Sequence, residues 1–122
     1  MFNVATSWPE EVDGADLHVI NGWTICHEGL RSSWHPRRRV PDNHIEIAKG
    51  FLNRCRRVKV PDPALTSSFL KHVIEKWAGQ YIVTGAVIIA AFDLGIVALP
   101  LRETGRDAAI GVNIRDVGRL GT

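Results

Sequence analysis

The residues best suited to chemistry in this chain are arginines, and they concentrate in its second quarter. Residues 31–60 hold nine basic residues, seven of them arginine, against two acidic residues, so the segment carries a net charge of +7. A guanidinium group can form paired hydrogen bonds with the oxygens of a phosphate or a carboxylate. The segment therefore predicts a binding surface for a nucleic acid or for an acidic protein.

The candidate binding residues fall in two groups. The stretch RSSWHPRRR, residues 31–39, places a tryptophan among four arginines, and an aromatic ring in that setting can stack on an unpaired base. A second group follows in residues 54–59. The predicted contacts to nucleic acid or to an acidic partner are Arg31, Trp34, Arg37, Arg38, Arg39, Arg54, Arg56, Arg57 and Lys59.

An internal partner is the alternative to an external one. Residues 1–30 contain five acidic residues and no lysine or arginine, a net charge of −5, while residues 61–122 balance to zero. Charge asymmetry of this kind points to a polyanionic partner. It is equally consistent with an acidic N-terminus that folds over the basic segment and neutralises it. Both interpretations stay open, and the carboxylates that distinguish them are Glu10, Glu11, Asp13 and Asp16.

Other chemistries have weaker support. Five side chains of metal-ligating type lie within thirty residues, but none has the CxxC or HxxxH spacing typical of zinc sites. They are Cys26, His27, His35, His44 and Cys55. The chain contains no GxSxG, HExxH or phosphate-binding glycine motif. We therefore predict a non-enzymatic protein without catalytic residues, metal or cofactor.

Local patterns predict the elements that position these residues. Asn21 and Gly22 favour a two-residue turn in a β-hairpin over residues 16–27, with Ile20 opposite Trp23. No apolar periodicity runs through residues 28–40, which predicts a loop. Asp42 then suits the N-cap of a helix with a strongly basic C-terminal turn. The apolar face of this helix comprises Ile45, Ala48, Phe51, Leu52 and Cys55.

Three further elements are expected. A second helix begins near Thr66, Ser67 or Ser68, ends at Gly79, and carries a stripe from Phe69 to Trp77. A third, strongly apolar helix covers about residues 84–94 and is followed by a loop. It is a core helix and not a membrane span, because five residues interrupt the window 81–101: Thr84, Gly85, Asp93, Gly95 and Pro100. The alternation of Ile110, Val112 and Ile114 predicts a strand.

Together these elements predict one α+β domain over residues 1–122, with residues 1–15 extended or loosely ordered. The hairpin and the C-terminal strand are expected to form a small antiparallel sheet against about three helices. An unpaired sheet edge favours a homodimer. Two isolated cysteines and an N-terminus without a signal peptide indicate a cytoplasmic protein.

Two resemblances bear on function. The stretch AAFDLGIVALPLRETG is similar to bacterial helix-turn-helix motifs over about fifteen residues, but Val97 stands at the capping position and Gly105 comes too early for a recognition helix. A core helix followed by a loop is preferred.

The stretch LKHVIEKWAGQYIVTGAVIIAAFDLGI, with Asn113 beyond it, resembles small, largely uncharacterised proteins of phages and integrated mobile elements. That resemblance implies a protein that acts by binding, either to DNA or as an inhibitor or adaptor docked on a host complex.

Overall fold

Helices and two small antiparallel sheets make up the structure. A computed structural model describes residues 18–20, 23–30, 39–101 and 105–122. These ranges contain the strands β1 (His18–Ile20), β2 (Trp23–Cys26), β3 (Gly29–Leu30), β4 (Ala98–Pro100) and β5 (Ala108–Ile110), and the helices α1 (Asp42–Leu52), α2 (Ser67–Ala78), α3 (Thr84–Asp93) and α4 (Ile114–Leu120). One sheet has the order β1-β2-β3 and the other pairs β4 with β5. The predicted α+β class is confirmed, and the described part of the chain has four helices.

The N-terminal hairpin has the predicted register. Ile20 lies opposite Trp23, Val19 opposite Thr24 and His18 opposite Ile25. The turn residues Asn21 and Gly22 lie outside the described residues. The strand pairing predicted from the local sequence is therefore confirmed for the described residues.

Two residues of the segment 28–40, which was predicted to be a loop, form a strand. Gly29 and Leu30 form β3, which pairs with Cys26 and Ile25 of β2. Leu30 is buried, and its N–H donates to the carbonyl of Arg106 at 2.8 Å. The pairing of β3 with β2 is local, and the hydrogen bond to Arg106 adds a long-range contact that the local sequence does not show.

Helix α1 has the predicted apolar face but different ends. All four predicted apolar positions within the helix are buried, as is Cys55 just beyond it. The prediction that Asp42 caps the helix is wrong, because Pro41 is the N-cap residue and Asp42 is the first residue of the helix. The helix also ends at Leu52, so the basic residues from Arg54 onward follow it and do not form its last turn.

Helices α2 and α3 agree closely with prediction. The Thr66 hydroxyl caps α2 by accepting the N–H of Phe69 at 3.0 Å, and Gly79 closes the helix with φ 72°. Gly95 follows α3, also with φ 72°. One position of the predicted stripe differs, since the Phe69 side chain is 49% exposed.

Helix α3 is the centre of the core. Every residue from Thr84 to Ala91 is buried, and the helix packs against α1, α2 and strands of both sheets. At Gly85 the helix lies so close to β2 that a Cβ atom would overlap the Cys26 carbonyl oxygen. No helix in the described ranges is long and apolar enough to cross a membrane.

The C-terminal strand differs from prediction in position and partner. Strand β5 ends at Ile110 and pairs with β4, and not with the hairpin. The alternation that suggested a strand through Ile114 fails because the Asn113 side chain accepts the N–H groups of Arg115 and Asp116 and so starts α4. Asparagine is among the favoured residues at this capping position.

The segment after α3 contains a strand, where a loop was predicted. Ala98–Pro100 form β4, and the N–H of Gly111 donates to the Val97 carbonyl at 2.7 Å. A glycine is needed there, since a Cβ at Gly111 would lie 2.8 Å from the Val58 carbonyl oxygen. The described residues of this segment therefore lack the second helix of a helix-turn-helix motif.

The close approach at Gly85 predicts an unusual response to alanine. Alanine normally stabilises a helix interior by about 1 kcal/mol relative to glycine. In Gly85→Ala we expect the overlap with Cys26 to outweigh this gain and to lower the free energy of unfolding by about 1–3 kcal/mol. Urea denaturation of the purified protein measures the change.

Gly118 provides the matched control. It lies in α4, and a Cβ there would have no heavy atom within 4 Å. Gly118→Ala should raise the free energy of unfolding by up to about 1 kcal/mol. An equal gain in both variants would contradict the close packing of α3 on β2.

Candidate polyanion-binding surface

The structure places five of the nine predicted binding residues. Arg31, Trp34, Arg37 and Arg38 lie outside the described residues. Arg39, Arg54, Arg56, Arg57 and Lys59 are described, and all five are exposed. Their surroundings differ, because some of them contact carboxylates or backbone carbonyls and others make no ion pair in the described structure.

Arg39 is held at the beginning of α1. Its guanidinium lies 3.3 Å from the Asp42 carboxylate, and both side chains are well exposed. Its backbone carbonyl lies 3.1 Å from Nε2 of His27, which connects it to the turn between β2 and β3. An exposed ion pair of this type contributes only about 0–1 kcal/mol, so Arg39 remains available to a stronger anion.

Arg54 braces the end of α1 against α2. Its guanidinium donates to the carbonyl of Gly50 and lies 5.2 Å from the centre of the Trp77 ring. The same tryptophan packs edge-on against Phe51 at 5.4 Å. A cation beside the last carbonyls of a helix also complements the helix dipole. These contacts give Arg54 a structural role independent of any ligand.

Arg56 is fixed by a carboxylate sixty residues away. Asp116 accepts three hydrogen bonds from Arg56: from the backbone N–H at 2.9 Å, from Nε at 3.0 Å and from Nη2 at 3.3 Å. Arg119 adds a fourth from its Nη2 at 3.1 Å. Asp116 is 5% exposed, whereas both arginine side chains are largely exposed. One shielded carboxylate therefore orients two guanidinium groups at the surface.

These contacts alter the ionisation of Asp116. The hydrogen bonds from Arg56, first from its side chain and then from its backbone, lower the pKa of Asp116 to about 2. The same ion pair raises the pKa of Arg56 above its ordinary value. Asp116 therefore stays negatively charged through the neutral and mildly acidic range. We call Asp116 with its partners Arg56 and Arg119 the clamp, and these ion pairs persist over the same pH range.

Backbone hydrogen bonds join the segment of Arg56 to the start of α4. The N–H of Asn113 donates to the Arg56 carbonyl at 2.8 Å, and the N–H of Val58 donates to the Gly111 carbonyl at 2.9 Å. Arg57 lies opposite Val112 in an antiparallel bridge. Basic residues from the two segments are thus brought together, and we call this set the basic ridge: Arg56, Arg57, Lys59, Arg115 and Arg119.

The basic ridge keeps most of its charge. Its five cations face one carboxylate of the clamp, Asp116, which leaves a net charge of +4. Within the described part of the chain, the side chains of Arg57, Lys59 and Arg115 make no ion pair, and all three residues are exposed. The ridge therefore includes cations with unused hydrogen-bond donors.

The residues that α4 contributes to the basic ridge were not predicted from the sequence. Arg115, Asp116 and Arg119 fell in or after a segment predicted to be a strand. The available signal was Asn113, a good N-cap residue, followed by an acidic residue three positions later in the first turn. The predicted masking by Glu10, Glu11, Asp13 and Asp16 falls outside the described residues.

The cysteines and histidines do not form a reactive centre in the described residues. Both cysteines are buried and neither forms a disulfide bond within the described residues, and burial raises the pKa of the Cys55 thiol to about 11. A nucleophilic cysteine needs thiolate character at neutral pH, which Cys55 lacks. Nδ1 of His44 accepts the N–H of Val83 at 3.2 Å, and burial lowers the pKa of this histidine. No cluster of three metal-ligating side chains occurs in the described ranges.

The clamp predicts a specific loss of stability in acid. Because its pKa is lower in the folded protein than in the unfolded chain, Asp116 stabilises the fold above about pH 4 and loses this contribution as the pH falls towards 2. Asp116→Asn should therefore unfold at lower urea concentration than wild type at pH 7. The difference should shrink progressively below pH 4.

Arg57→Gln is the control, since Arg57 adjoins the clamp without joining it. Its pH dependence of unfolding should match that of wild type. A constant gap between Asp116→Asn and wild type from pH 7 to pH 3 would contradict the proposed ionic clamp.

Comparison with models of protein families, with curated proteins and with solved structures found no match for this chain. Functional inference therefore rests on the residues and contacts described above.

Proposed function

We propose that this protein is a non-enzymatic nucleic-acid-binding protein that contacts the phosphate backbone through the basic ridge and the arginine-rich residues 31–39. The observation that carries the proposal is the exposed, unpaired state of Arg57, Lys59 and Arg115 in the described structure. Cations that replace the counterions of a phosphate backbone supply most of the sequence-independent affinity for nucleic acid.

The clamp supports this proposal through preorganisation. Asp116 engages Nε and Nη2 of Arg56, while Nη1 has no partner in the described structure. A guanidinium already held in place loses less conformational freedom when it binds an oxyanion. Arg56 and Arg119 can therefore present donors to phosphate even though each also contacts a carboxylate.

Residues 31–39 extend the proposal to unpaired bases. Trp34 would stack on a base while Arg31, Arg37, Arg38 and Arg39 contact the neighbouring phosphates. Stacking of this kind contributes about 1–3 kcal/mol per base and tolerates any sequence. An origin in a phage or mobile element, suggested by the resemblance of residues 70–114, stays a prediction and fits a small accessory protein.

Charge removal on the ridge tests the proposal directly. In the triple variant Arg57→Gln, Lys59→Gln and Arg115→Gln, we expect weaker binding to single-stranded DNA of every sequence. Each lost phosphate contact should reduce the slope of log affinity against log salt by about 0.7, so the triple variant should lose about 2. Fluorescence anisotropy with labelled oligonucleotides at several salt concentrations measures both quantities.

Lys76→Gln is the matched control, because Lys76 is an exposed lysine on α2 without an ion pair in the described structure. It should leave affinity and salt slope close to wild type. Failure of the wild-type protein to bind single-stranded or double-stranded nucleic acid at low salt would refute the proposal.

The role of Trp34 has its own test. Trp34→Leu should weaken binding to single strands by about 1–3 kcal/mol, with little effect on the salt slope, because stacking releases no counterions. A loss of equal size on duplex DNA would argue against base stacking.

An acidic host-protein surface is the competing partner for the same residues, since carboxylates and phosphates present similar oxygens to a guanidinium. Affinity capture from a host lysate, with and without nuclease, separates the two. A single protein retained by wild type after nuclease treatment, and lost in the triple variant, would replace nucleic acid with an acidic protein as the partner.

A further inference from the structure

A second polar feature lies apart from the basic ridge. A cavity of about 420 Å³ opens where the turn between β2 and β3 meets the N-terminal parts of α2 and α3. Its wall includes Ser68 and Lys71 from α2, Thr84 from α3, and Tyr81 and Arg106 from the adjoining segments. No residue of the basic ridge contributes to it.

Thr84 is the unusual member of this wall. It is only 7% exposed, yet its hydroxyl has no hydrogen-bond partner in the described structure. Its methyl group faces Gly29, since a Cβ at Gly29 would lie 3.4 Å from Thr84 Cγ2. A buried polar group without a partner is rare and costs free energy, so a hydroxyl on a cavity wall points to a bound group that completes it.

Three backbone N–H groups near the starts of α2 and α3 already have hydrogen-bond acceptors within the protein. Asp107 accepts the N–H of Ser68 at 3.1 Å, Thr66 accepts that of Phe69 at 3.0 Å, and the N–H of Gly85 donates to the His27 carbonyl at 3.1 Å. Recognition of a ligand in this cavity would therefore fall to side chains.

Two cationic side chains line the same cavity as Thr84. The Lys71 ammonium lies 2.9 Å from Glu75 and 4.6 Å from the centre of the Tyr81 ring, and its side chain is 15% exposed. An ammonium has three N–H donors, so its single carboxylate partner leaves others for a ligand. Arg106 contributes a second cation, whereas Glu28 contributes one carboxylate to the wall.

We infer that this cavity binds the phosphate group of a small phosphate monoester, with Thr84, Lys71 and Arg106 donating to its oxygens. A phosphate offers several acceptor oxygens in different directions, which suits a hydroxyl, an ammonium and a guanidinium placed around one space. Tyr81 is 64% exposed at the same cavity and offers an aromatic surface to the organic part of the ligand. No residue of the basic ridge lines this cavity, so the inference does not depend on the proposed nucleic-acid binding by the ridge.

Thermal unfolding with added ligand tests the inference. The probes are inorganic phosphate and adenosine monophosphate, each titrated into the low-millimolar range at ionic strength held constant with sodium chloride. A ligand that binds only the folded protein raises the unfolding midpoint as its concentration increases. Equal effects of both probes would assign recognition to the phosphate alone, and a larger effect of the nucleotide would add the organic part.

Substitutions at Thr84 make the test specific. Thr84→Val replaces the hydroxyl with a methyl group and breaks no hydrogen bond of the described structure, so without ligand it should unfold at or above the wild-type midpoint. Its apparent affinity for the probes should fall at least tenfold, while Thr84→Ser, which keeps a hydroxyl, should retain binding. Lys76→Gln changes an exposed lysine of α2 that lies outside both the cavity wall and the basic ridge, and it should leave the phosphate response unchanged.

Amide shifts in the NMR spectrum of the wild-type protein provide a measurement that needs no variant. Phosphate should shift the amide resonances of Ser68, Thr84 and Gly85 and leave that of Gly118 in place. Absence of any midpoint change with both probes, an undiminished response in Thr84→Val, or shifts confined to the basic ridge would overturn the inference. Nucleic-acid binding is tested separately, by the ridge variants.

Discussion

The burial of α3 from Thr84 to Ala91 is the constraint on which the rest of the structure depends. Residues on every side of this segment are apolar, so it is stable only when other elements of the protein cover it. Helices α1 and α2 and strands of both sheets provide that cover. Because Gly85 lets β2 approach the helix backbone, the hairpin is fixed relative to the helical layer. The positions of the turn after β2 and of the first turn of α2 follow from this arrangement.

A different interaction organises the surface chemistry. Asp116 joins α4 to the segment after α1 by accepting hydrogen bonds from Arg56 and Arg119. Its carboxylate offsets one positive charge of the basic ridge and holds the guanidinium groups of Arg56 and Arg119 in position. Removing the carboxylate would leave the same residues on the chain but would free their side chains to move. The number of arginines therefore matters less than which of them the fold holds in place.

The cavity and the basic ridge have different physical characters. Ridge cations are exposed and carry an excess of positive charge, which suits a long polyanion bound by many weak contacts. The cavity places the cations Lys71 and Arg106 around a concave space beside one carboxylate, Glu28, which suits a small ligand held by a few directed hydrogen bonds. Asp107 strengthens the cavity wall, since its carboxylate accepts from Ser67 and Ser68 and ties β5 to the start of α2. The two surfaces can thus be examined by separate substitutions.

Local residue patterns alone determined the elements whose hydrogen bonds close over a few positions. The turn at Asn21 and Gly22 predicted the hairpin register, while Thr66 and Gly79 predicted the ends of α2. The apolar spacing from Ile45 to Cys55 identified the buried side of α1. Tertiary structure decided whatever joins distant segments: the pairing of β4 with β5, the hydrogen bond of Leu30 to Arg106, and the contact of Arg56 with Asp116. A residue's type shows which bonds it can form, but packing of the whole chain determines which partner comes within reach, and for Thr84 it left a buried hydroxyl with none.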